Sequence, residues 1–86
     1  MSGPDPYERA LIALAATPGV VTDDALEHLG AAGGGRRLSG IAEVRRRAAA
    51  RGAPGEIVRV GGFGYRMSSD MRAWFAKTQT AMTVAP

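Results

Sequence analysis

The sequence predicts a mainly α domain with one small β-hairpin, and three observations carry that expectation. Apolar residues recur at helical spacing in four separate segments. Two short runs rich in β-branched and aromatic residues, "EIVRV" and "YRM", flank a cluster of three glycines. Each segment is also bounded by residues that start or stop it. With 86 residues and no cysteine, the chain is expected to form one domain with a compact core. A chain of this length buries only about 60–65 % of its unfolded surface, and neither a disulfide nor a cysteine-based zinc site can add stability.

The elements follow in order. In "DPYERALIALAATPG", Asp5 is a cap, Pro6 fits the first helical position and Glu8 stands at capping-box spacing, while Tyr7, Leu11 and Leu14 form one apolar stripe. "TPG" at 17–19 stops this helix, and Val20 and Val21 form a β-branched pair suited to one rung of a sheet. "TDDALEHLG" reads as a second, shorter helix, capped by Thr22, with Asp23 and Asp24 against the helix dipole and Gly30 as terminator. Ala25, Leu26 and Leu29 give it a buried side. After the connection "AAGGG", a third helix runs from about Arg37 to Arg51 on a stripe of Ile41, Val44 and Ala48, and "GAPG" ends it.

Residues 57–67 then make the hairpin. Alternation is expected to turn Val58, Val60, Tyr65 and Met67 inward and Arg59 and Arg66 outward. "SSDMRAWFAKTQTAM" predicts a fourth helix, with Met71, Trp74, Phe75, Thr78 and Met82 at helical spacing. Three helices followed by a hairpin is the arrangement of a winged helix-turn-helix. The expected organisation is a flexible N-terminus (1–5), a winged-helix domain (6–67), a C-terminal helix (68–82) and a flexible tail (83–86).

Net charge is +3, but the charges are segregated: residues 1–35 carry −4 and residues 36–86 carry +7. Ten of the eleven bases are Arg, whose planar fork suits phosphate and base edges. The basic half is the expected face for a polyanion. The longest apolar run, "ALIALAA", is far short of the ~20 residues of a membrane span. The stretch before it carries Asp5 and Glu8 against Arg9, where a secretory signal would be basic. A soluble, cytoplasmic protein is expected.

Chemistry has little to work with. His28 is the only histidine, so the usual pairs of nucleophile and base are missing, and neither catalysis, a bound cofactor nor a metal site is expected. "GAAGGGRR" at 30–37 approaches a P-loop but puts Arg at the Lys and hydroxyl positions and follows a helix instead of a strand. The Gly61–Gly64 cluster lacks the full G-x-G-x-x-G of a dinucleotide fingerprint, and no helix follows it directly.

"LIALAATPGVVTDDAL", "IAEVRRRA" and "IVRVGGFGYRM" together resemble the winged-helix effector domains of two-component response regulators of the OmpR/PhoB type, over roughly residues 6–67. The most specific match is an Ile, a Val and then Gly-x-Gly-Tyr-Arg. The resemblance implies promoter DNA binding, with the third helix in the major groove and the hairpin as wing. The receiver domain and N-terminal sheet of that family have no counterpart in these residues. Its polymerase-contacting loop corresponds to the glycine tract. Gly40, Ala42 and Glu43 stand where its base-reading side chains usually lie, and Gly61 where its wing often carries Arg.

On an angular count of ~100° per residue, the third helix turns Ser39, Ala42, Glu43 and Arg46 away from its apolar stripe. Arg46 suits a guanine and Glu43 a cytosine amino group, while Arg36, Arg37, Arg47 and Arg51 suit phosphates. The alternative for this face is a solvated helix surface with Glu43 and Arg47 as an i,i+4 pair. Arg59 and Arg66 on the wing suit the backbone or the minor groove, or are a plain surface pair. The expected partner is double-stranded DNA. In the alternative, the chain is a protein-interaction module of phage or plasmid type. It would meet a host protein, or a second copy, through Trp74 and Phe75 or the third helix; otherwise the fourth helix folds back and these two aromatics complete the small core.

Overall fold

A computed structural model of the chain describes residues 6–29 and 37–84, apart from the side chains of 37–39 and 79–84. Seven elements follow in order: α1 (Pro6–Ala16), β1 (Val21–Thr22), α2 (Asp23–His28), α3 (Arg37–Ala50), β2 (Ile57–Val60), β3 (Gly64–Met67) and α4 (Ser69–Val84). The expectations for Asp5 as a cap, for the glycine tract 30–35, for Arg36 and for most of the two termini lie outside the described residues.

Local chemistry accounts for the element ends. Thr22 caps α2, its Oγ1 accepting from the Ala25 amide at 3.1 Å. The third helix closes in a Schellman turn: Gly52 sits at φ +80°, its amide donates to Ala49 O at 3.0 Å, and the Ala53 amide reaches Ala48 O at 3.2 Å. Ser68 caps α4. Its Oγ accepts from the Met71 amide (3.3 Å) and from the Glu56 amide (3.2 Å), which ties the base of the hairpin to the start of the helix.

The strands form one antiparallel sheet in the order β1-β3-β2. Val21 pairs with Tyr65 and Thr22 with Gly64, so the β-branched pair does add its rung, through Val21. The β2–β3 turn is closed by the Phe63 amide on Val60 O at 3.1 Å, with Gly61 at φ +50°, the left-handed conformation such hairpin turns need. Gly64 is required by proximity: a Cβ there would lie 2.1 Å from Val21 O, so only glycine lets β1 come this close.

One core joins the layers. Ala10, Leu11 and Leu14 of α1 meet Ile41, Val44 and Ala48 of α3, as both apolar stripes predict, and Met71 and Phe75 of α4 close it from another side. Each fully buried Leu or Phe here contributes about 2 kcal/mol. In α2 the burial falls on Leu26, with Leu29 half-buried and Ala25 exposed.

The phase of β2 differs from the alternation expected from sequence. Val58 is opposite Arg66, and Arg59 opposite Tyr65, so Arg59 shares the core side with Ile57, Tyr65 and Met67 while Val58 and Arg66 face out together. A shift of one residue moves every side chain to the other face. Ile57 sets the phase by pairing with Met67, and Val58 is left 36 % exposed. Arg59 tolerates the core side because its charged end finds partners at the rim, described below.

Candidate nucleic-acid interface

With Ile41, Val44 and Ala48 inward, α3 presents Ala42, Ala49, Ala50 and Arg46 to solvent, with Glu43 half-buried beside them. Arg46 is the most prominent charge of this face, its side chain 69 % exposed. Its Nη2 donates to Glu43 Oε1 at 2.8 Å, and Arg47 Nε donates to the other oxygen, Oε2, at 2.9 Å. Glu43 therefore spends both oxygens on arginines of its own helix. It orients Arg46, and each oxygen keeps a further lone pair.

Arg47 and Arg51 turn toward α1 instead of the open face. Arg47 Nη1 reaches Glu8 Oε1 at 3.5 Å and its guanidinium lies 5.4 Å from the Tyr7 ring centroid, while Arg51 donates to Glu8 Oε2. The result is a continuous ionic chain, Arg51–Glu8–Arg47–Glu43–Arg46, that fastens α3 to the first helix. Glu8, assigned to a capping box from sequence, carries it.

Arg45, on the other flank of α3, points at the sheet. Its Nε and Nη2 both donate to Ile57 O, at 3.1 and 2.8 Å, and its guanidinium lies 5.6 Å from the Tyr65 ring. These bonds fix the hairpin relative to α3. Arg59 comes to the same ring at 4.9 Å, grips Asp23 with two bonds of 2.8 and 3.1 Å, and donates from Nε to Gly61 O at 2.9 Å. The bond to Asp23 raises the Arg59 pKa above its ordinary value against a smaller desolvation effect. A raised pKa on a cation means that the pair loses its positive member only in strong alkali.

Arg66 is different. It stands exposed on the outer side of the sheet beside Val58, with no partner among the described residues. The helical positions of Arg37 and Ser39 put them in the first turn of α3, and Arg36 lies outside the described residues. Of the nine residues expected to meet DNA, six have described side chains. Arg66 is exposed without a partner among the described residues, Arg46, Arg51 and Arg59 are exposed but paired with acids, Arg47 is half-buried between Glu8 and Glu43, and Glu43 is the brace.

Trp74 and Phe75 lie elsewhere, against α1. Phe75 is buried and Trp74 half-buried, their rings in edge-to-face contact at 5.0 Å and 88°. With Leu11, Ile12, Ala15 and Thr78 they line a groove of about 540 Å³, which Glu8 and Arg51 also border.

Sequence reasoning missed Phe63, 71 % exposed at the hairpin apex. Its flanking glycines were a usable signal, since they offer the ring no neighbouring side chain; it lies beside the backbone of Gly61. No signal announces Glu8 and Asp23 as partners of Arg47, Arg51 and Arg59, from which they are separated by 36 to 43 residues. Among the described residues there is no group of three metal-ligating side chains and no helix long and apolar enough to cross a membrane. The exposed His28 ring bonds Asp24 O on its own helix. No family model, no curated protein and no solved structure matches the chain.

Proposed function

We propose that this chain is a small winged-helix DNA-binding protein, a transcriptional or accessory regulator, with α3 in the major groove and the β2–β3 hairpin flanking it as a wing. The observation that carries this reading is the open face of α3. Three exposed alanines leave it slim enough to approach base edges, and a braced Arg46 projects from it. Arg45 holds the hairpin to that helix, so the two approach a duplex as one body. Arg66 supplies an uncommitted cation on the hairpin.

Titration with mixed-sequence duplex DNA across a salt series tests the reading. Log affinity is expected to fall steeply with log salt, with a slope near −0.9 per phosphate contacted. Arg46→Ala combined with Arg47→Ala should flatten it, since together they remove two cations from α3. Absence of binding at low salt would end the proposal.

The groove between α1 and α4 favours a second reading, a winged helix that docks a protein through Trp74 and Phe75. Capture of a partner that survives both Arg changes but is lost in Trp74→Ala would support it.

A further inference from the structure

Phe63 is the most exposed large apolar residue among the described residues, and nothing in the core requires it there. Its position is nevertheless closely fixed. Its amide closes the hairpin turn on Val60 O (3.1 Å), its carbonyl accepts from the Asp23 amide (2.9 Å), and Arg59 holds the carbonyl of Gly61 (2.9 Å). An exposed ring on a mobile loop has no defined direction; this one is carried on a pinned apex.

The apex is also thin. Gly61 and Gly62 precede the ring and Gly64 follows it, so that Phe63 is its only side chain; a Cβ on Gly62 would meet nothing within 4 Å, and one on Gly61 would touch only the ring itself, at 3.4 Å. A hot spot for a protein partner sits at the centre of a broader patch that excludes water around it. A single ring among glycines, with the uncommitted Arg66 behind it on the same hairpin, lacks that surround. It matches a narrow polyanionic cleft, and the minor groove is about 6 Å wide.

We propose that Phe63 is an apolar wedge which enters the minor groove and partly unstacks one base step, so that the protein bends the duplex it holds. This rests on the DNA-binding reading above and adds a deformation to it. Flexible pyrimidine–purine steps, which kink most easily, are the preferred sites of entry.

The experiment uses the full chain and a duplex of about 30 bp with a central TA step, end-labelled for energy transfer and carrying 2-aminopurine beside the step. Wild type is expected to bend it by at least about 20° and to brighten the 2-aminopurine as the step unstacks. Phe63→Ala should bind with an unchanged salt slope, because no charge is altered. It should give neither bend nor brightening, with affinity lower by roughly ten-fold. Phe63→Leu, which keeps an apolar wedge, should retain both signals. Circular dichroism should be unchanged for either variant, since the side chain lies outside the core. Wild-type binding to a straight, stacked duplex overturns the wedge and leaves the DNA reading standing, as does a Phe63→Ala protein that bends like wild type. No wild-type binding at low salt overturns both.

Discussion

Leu14 and Val44 are fully buried where α1 crosses α3, and they mark the positions at which this small core is least tolerant. Leu14→Ala is expected to cost about 3 kcal/mol, a lost transfer energy plus the cavity left behind. In thermal melts this should appear as a fall of more than about 10 °C for a domain of this size. Ile12, 41 % exposed on the same helix, is the control: its change to Ala should stay within about 1 kcal/mol. Both core residues were legible from sequence, because helical spacing identifies an inward stripe whatever it packs on. The Glu43–Arg47 pair was legible too, from its i,i+4 spacing, and the Glu43–Arg46 bond is likewise local to α3; only the onward link through Arg47 to Glu8 depends on where α1 lies.

Among the elements, two positions that depend on glycine differ in kind. Gly52 ends α3 in the left-handed region with open space around it, so Gly52→Ala meets a backbone penalty alone, about 1 kcal/mol. Gly64 has no such freedom: an added Cβ runs into the carbonyl of Val21 and the Cα of Thr22. Gly64→Ala should therefore cost clearly more than Gly52→Ala in urea unfolding. It should also release the amide of Asp23 to hydrogen exchange, since that amide bonds Phe63 O only while β1 lies against the turn. Helix limits and the hairpin were readable because caps, prolines and glycines are local signals. The phase of β2 was not, because "IVRV" has apolar residues at positions of both parities. The decision came from the pairing of Ile57 with Met67 and from the rim partners of Arg59, which are distant in sequence.

For the whole molecule, folding largely undoes the separation of charge seen along the chain. Acids of the first half meet bases of the second, Glu8 with Arg47 and Arg51, and Asp23 with Arg59, so the cationic surface is smaller than the sequence suggests. A consequence for binding follows. Glu8→Gln should cost under about 1 kcal/mol in stability, as for other partly exposed ion pairs. On the proposed DNA-binding reading it should tighten binding at low salt and steepen the salt slope by up to about 1 as Arg51 becomes available, Arg47 staying paired with Glu43. An unchanged slope would show that Arg51 remains committed to other groups. The strand order also governs how the chain is made. β1 pairs only with β3, 42 to 44 residues further along, and never with its nearer neighbour β2. A nascent chain emerging from a ribosome can therefore form α1 and even the α1–α3 contact while Val21 and Thr22 wait without a partner. The β2–β3 hairpin closes locally within microseconds of its synthesis. The waiting strand can dock only after β3 has been made, at the entropic cost of closing that long loop.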